Sequence, residues 1–124
     1  MYPVGNFDGL QPGIEGRMER RIDESLLTAH VGGEGIFATP AMIGLMELTS
    51  HRSVADLLPG GYTTVGYEVH VRHKAPSQKG DQIVVTSVLR EVNGTRLLFD
   101  VACLGGETVL GEGTHKRAIV PANG

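Results

Sequence analysis

The chain has 124 residues, a net charge of −3 and one cysteine, with 40% hydrophobic and 20% charged residues. This length and balance suit one globular domain with an ordinary core and exclude a disordered composition. A single cysteine excludes an internal disulfide and a thiolate-rich zinc site, and the negative charge offers no basic field to nucleic acid or an anionic membrane. No charged segment followed by an apolar core opens the chain, and no apolar run approaches ~18 residues. The expectation is a soluble, cytoplasmic single domain over residues 1–124, with 1–16 a loosely ordered arm.

In chain order, the first element is a strand over 17–27, where Met18, Arg20 and Ile22 alternate with Arg17, Glu19 and Arg21. Residues 30–35 carry three glycines and read as a loop. Thr39 is then expected as an N-cap, with Pro40 at the first helical position, where its missing N–H costs nothing. The helix runs over 41–58 and stops before Pro59-Gly60-Gly61. Its first two turns are apolar on nearly every side, through Met42, Ile43, Leu45, Met46 and Leu48, so the rest of the protein should wrap it. Strands follow over 62–74, 81–92, 95–104 and 108–120. Asn93-Gly94 is a strong hairpin signal, and Gly105-Gly106 forms the next tight turn. Short connections predict a meander of antiparallel neighbours. The fold class is α+β: a sheet of about five strands curled around one long helix.

Glu47 sits in the middle of the apolar half of that helix. Burial disfavours the charged form of a carboxyl, which is how it becomes a base near neutral pH. The alternative is a glutamate that reaches the surface or pairs with an arginine. Thr39 lies about 12 Å from Glu47 along the helix axis. Strand alternation places Val65, Tyr67, Val69, Val71 and His73 on one face, toward the helix, and Glu68, His70 and Arg72 on the other. His73 is then either a satisfied core histidine or a proton carrier facing the helix. The same alternation separates His70 from His73 and argues against a shared metal. Gly66 marks a bulge or a close backbone approach. Cys103 shares the Leu97, Phe99 and Val101 face and reads as a small buried hydrophobe.

The segment Phe37-Ala-Thr-Pro-Ala-Met-Ile-Gly-Leu-Met-Glu47 resembles the helix motif of the hotdog-fold thioesterases, specifically the fluoroacetyl-CoA thioesterase-like family. There a threonine opens the central helix and a glutamate follows eight positions later, as Thr39 and Glu47 do here. The histidine of the following strand, in a V-x-H context, corresponds to His73, and the glycine seven residues earlier to Gly66. The tail Gly113-Thr-His-Lys-Arg117-Ala-Ile-Val resembles the family's last strand. The resemblance implies a hotdog fold, a homodimer or higher homo-oligomer, a site near the dimer interface and an acyl-CoA thioester substrate, with no cofactor or metal. It implies Thr39, Glu47 and His73 as catalytic residues: Glu47 base or nucleophile, Thr39 orienting, His73 transferring protons. Gly66, whose N–H would stabilise an oxyanion, Phe37 and Arg117 are the expected substrate-binding residues. Arg72, Lys74, Lys79, Lys116 and Arg117 are the cations that could meet CoA phosphates. Two other readings stand beside it: a non-catalytic acyl-CoA-binding hotdog module, and a hotdog hydratase, whose Asp-x4-His pair is absent here. The acyl group, and CoA against a carrier protein, are left open.

Overall fold

The computed structural model describes residues 7–28 and 35–123. The expected loop over 30–35 lies outside the described residues except for Gly35, as do the first six residues of the expected arm. The described elements are β1 (Glu15–Arg21), a 3-10 turn (Glu24–Leu26), α1 (Thr39–Ala55), β2 (Tyr62–His73), β3 (Gln82–Asn93), β4 (Arg96–Gly105) and β5 (Thr108–Pro121). β1 is shorter than its alternation suggests. The Asp23 carboxylate accepts from the Ser25 N–H at 2.9 Å, and this local side-chain bond ends the strand in a turn.

All strand pairs are antiparallel, in the order β1-β3-β4-β5-β2. The expected meander holds for β3, β4 and β5 and fails for β2, which pairs with β5 instead of β3. Residues 74–81 are long enough to carry the chain across the sheet, so sequence adjacency does not fix the neighbour. β2 therefore forms one edge.

The core follows from strand alternation. Ile83, Val85 and Leu89 of β3 and Leu97, Phe99, Val101 and Cys103 of β4 pack with Met42, Leu45, Met46 and Val54 of α1. Burial pushes the Cys103 thiol up to about 11, which keeps it an inert apolar group. Register shifts interrupt β2, β3 and the β4–β5 pair, and each bends the sheet around the helix. Gly111 permits the closest seat for the helix: a Cβ there would stand 2.5 Å from the Met42 Cε.

The expected full wrapping of α1 is not met within the chain. Pro40, Gly44 and Leu48, spaced four apart, form an exposed stripe, with Leu48 37% exposed and open space around Gly44. Val65 and Tyr67 of the β2 edge are each 46% exposed.

Candidate functional site

The helix begins one residue earlier than the cap assignment requires. Ala38 is the N-cap, with extended backbone and no side-chain cap bond, and Thr39 is already helical. The Thr39 hydroxyl is thus not committed to a backbone N–H. Its Oγ1 lies 2.7 Å from His73 Nδ1, joining the first turn of α1 to the last residue of β2. The Phe37 ring meets the His73 ring edge-on at 6.0 Å. The Phe37 backbone is fixed by its N–H donating to the Ser77 carbonyl at 2.8 Å. Thr39, His73 and Phe37 line an open cavity of about 420 Å³ with Leu27, Ile36 and Pro40. His73 Nε2 is buried and has no hydrogen-bond partner among the described residues.

A second cluster forms further along the helix. Arg117 is buried, and its Nε donates to Thr64 Oγ1 at 2.8 Å and its Nη2 to the Thr64 carbonyl at 2.9 Å. Its Nη1 lies 3.1 Å from His115 Nε2, while His115 Nδ1 is 3.0 Å from the Glu68 carbonyl. A carbonyl only accepts, so Nδ1 carries the proton and Nε2 receives the Arg117 N–H. His51 Nδ1 lies 3.0 Å from the Thr64 hydroxyl. The half-buried Glu47 makes no ion pair with this group, but its charge is near enough to act weakly on both His115 and Arg117.

The bulge in β2 decides which residues reach this cluster. Gly66 pairs with Arg117 and Glu68 with Lys116, leaving Tyr67 without a partner in the ladder. The extra residue reverses the alternation. Val69, Val71 and His73 face the helix as expected, but Val65 and Tyr67 do not: they are exposed, while Thr64 is buried and a Cβ on Gly66 would point inward at His115. Tyr67 lies outside beneath the Arg96 guanidinium, 4.8 Å from its ring centre. A Cβ on Gly66 would stand 2.8 Å from His115 Cε1, so only glycine fits above that imidazole.

The expected site residues therefore form two groups. Phe37, Thr39 and His73 meet at the start of the helix, whereas Gly66 and Arg117 meet at His115, with Glu47 within electrostatic reach but in no hydrogen bond or ion pair with them. Arg117, weighed above as a phosphate contact, is turned into the interior. Lys74, Lys79 and Lys116 are each paired with a carboxylate on the surface. His70 lies beside Glu68 at 3.6 Å, on the opposite side of β2 from His73. The sequence reading missed Thr64, His51 and His115. The last of these was accessible, because His115 stands two residues before Arg117 and strand alternation puts both on one face.

Burial, then Arg117, lowers the proton affinity of His51, and burial is also the main cause of the lowering at His115. The unfolded chain protonates both rings near pH 6.5, whereas the fold resists. Below that pH the unfolded state binds more protons, so stability falls as pH drops. Urea unfolding should show stability falling steadily from pH 7.5 to 5.5. Constant stability over that interval would mean that the folded rings accept protons freely.

Residues 22–123 match the sequence profile of the fluoroacetyl-CoA-specific thioesterase family. A fluoroacetyl-CoA thioesterase of Streptantibioticus cattleyicolor is 39% identical over 85 residues, 68% of this chain and 61% of that protein. A crystal structure of the fluoroacetyl-CoA thioesterase FlK superposes with a TM-score of 0.86 at 29% identity, covering 94% of this chain and 92% of that one. A hot-dog-like protein from Thermanaerovibrio acidaminovorans gives 0.87 at 20% identity over 97% and 90%, a likeness of fold alone. No helix among the described residues is long and apolar enough to cross a membrane.

Proposed function

The chain belongs to the fluoroacetyl-CoA-specific thioesterase family, and from that membership we propose that it hydrolyses an acyl-CoA thioester in the cytoplasm as a homodimer. The observation that carries this reading is the Thr39–His73 hydrogen bond beside an open cavity, at the start of the helix that bears Glu47. Glu47 acts on the thioester carbonyl, as nucleophile or as base for a water. Gly66 N–H supports the negative charge that develops on the carbonyl oxygen. His73, oriented through Nδ1 by Thr39, gives a proton to the departing thiolate, and Phe37 bounds the acyl end of the cavity.

Pairing two protomers through the β2 edges gives the exposed surfaces a use. An unpaired edge of twelve residues, carrying Val65 and Tyr67, is a template for another strand. The neighbouring stripe of Pro40, Gly44 and Leu48 completes an apolar face. Thr39 and Glu47 are separated by about 12 Å of helix rise and sit in different hydrogen-bonded groups. One thioester then bridges them most simply across the dimer, meeting Thr39 and His73 of one protomer and Glu47 of its partner.

Thiol release from a panel of short, medium and aryl acyl-CoAs tests the activity. Silence across the panel by folded protein would overturn it. Thr39→Val keeps the side-chain shape and removes the bond to His73. Its kcat should fall about 10²-fold, the size of effect that misplacing a catalytic group produces. Undiminished turnover would remove Thr39 from the mechanism.

A further inference from the structure

His115 links the β2 bulge to the buried Arg117. Its Nδ1–H donates to the Glu68 carbonyl, the first ladder residue after the bulge, at 3.0 Å. Its Nε2 accepts from Arg117 Nη1 at 3.1 Å. The ring is 1% exposed, stacks on Phe99 with centroids 6.4 Å apart, and lies directly beneath Gly66. A positive charge on the ring would set two N–H groups against each other at Arg117, so this arrangement requires neutral imidazole with its proton on Nδ1. Glutamine can reproduce both bonds, donating through its amide N–H and accepting through its amide oxygen. Leucine can fill the space and reproduce neither.

We propose that His115 is a positioning residue for thioester hydrolysis: as a neutral imidazole bonded to both β2 and Arg117, it fixes the Gly66 bulge, and with it the Gly66 N–H, and holds the Arg117 guanidinium in place. This rests on the thioesterase reading. His115 itself touches no substrate. Its effect passes through the Gly66 backbone and through the buried Arg117 cation, whose charge Glu47 feels at a distance. Lost positioning therefore appears in kcat, while the cavity at Thr39 and His73 continues to set binding.

His115→Leu and His115→Gln are compared with wild type in acyl-CoA thiol release, with thermal melts for both. The leucine variant should melt near wild type and lose about 10²-fold in kcat, similar to loss of an oxyanion donor, with KM changed less than about threefold. The glutamine variant should recover kcat to within about tenfold of wild type. Equal kcat in the leucine variant and wild type, or equal loss in both variants, would overturn the proposal. A third measurement does not depend on turnover or on the variants folding: imidazole ¹⁵N shifts of wild-type His115 at pH 7.5. A neutral ring protonated on Nδ1 is expected, and a charged or Nε2-protonated ring would overturn the positioning role. If wild type releases no thiol while that tautomer is found, the thioesterase reading has failed and the proposal falls with it.

Discussion

Glu47→Gln should lower kcat for acyl-CoA hydrolysis by about 10²–10⁴-fold while the protein remains folded. The amide keeps the shape of the carboxylate and loses its charge, its basicity and its nucleophilicity together. The fold should tolerate the change because Glu47 is only half-buried and no core packing depends on it. Arg117 keeps its bonds to Thr64 and His115, and no ion pair with Glu47 is broken. Stability should therefore change by less than about 1 kcal/mol, far from the ~3–5 kcal/mol that follows when one member of a buried pair is removed. Steady-state thiol release with a urea curve on the same sample separates the two effects. Near-wild-type turnover would exclude Glu47 from the chemistry. Loss of activity in step with loss of folded protein would make it a structural partner of Arg117.

Mixing two inactive variants should restore activity. Glu47→Gln and His73→Ala each remove one half of the proposed bridging site. If the halves come from different protomers, a heterodimer holds one intact site and one doubly impaired site. Random exchange makes about half the dimers mixed, so roughly a quarter of wild-type turnover should return as exchange proceeds, against residual rates of about 10⁻² or less for each variant alone. The recovery should depend on the time of mixing and be absent when exchange is blocked by crosslinking each homodimer first. No recovery after demonstrated exchange would mean that Glu47 and His73 serve the same active site from one protomer. The uncovered stripe of Pro40, Gly44 and Leu48 would then mark an interface without a catalytic role.

Local sequence was sufficient wherever a short-range force dominates. Asn93-Gly94 set the β3–β4 hairpin, and Pro59-Gly60-Gly61 closed the helical segment within a few residues of its observed end at Ala55. Period-two alternation identified the buried face of β4 down to Cys103, because each of those side chains has only two directions available. The family motif named Thr39, Glu47 and His73 together, and the fold brings His73 to Thr39. Even the assignment of Thr39 as a cap erred by one residue in a way that matters, since a hydroxyl released from the backbone is the one that reaches His73.

What local sequence could not decide depended on contacts between distant segments. The partner of β2 is set by how residues 74–81 cross the sheet, and neither neighbour is excluded by the residues of β2 alone. The bulge at Tyr67 is a property of the β2–β5 register. A single extra residue there exchanges Val65 and Tyr67 for Thr64 and Gly66 on the inward face, and period-two reasoning cannot detect such a slip from one strand. With the slip in place, Thr64 can hold Arg117, Gly66 can lie over His115, and a cation that sequence alone offers to a phosphate is buried instead between Thr64 and His115. The sequence by itself determined the elements and the core face of most strands, because those follow from local sterics and the burial of apolar side chains, while Thr39, Glu47 and His73 were singled out by the family resemblance. The tertiary structure alone decided which groups gather around Arg117 and His115, because that depends on one strand's register against another more than forty residues away.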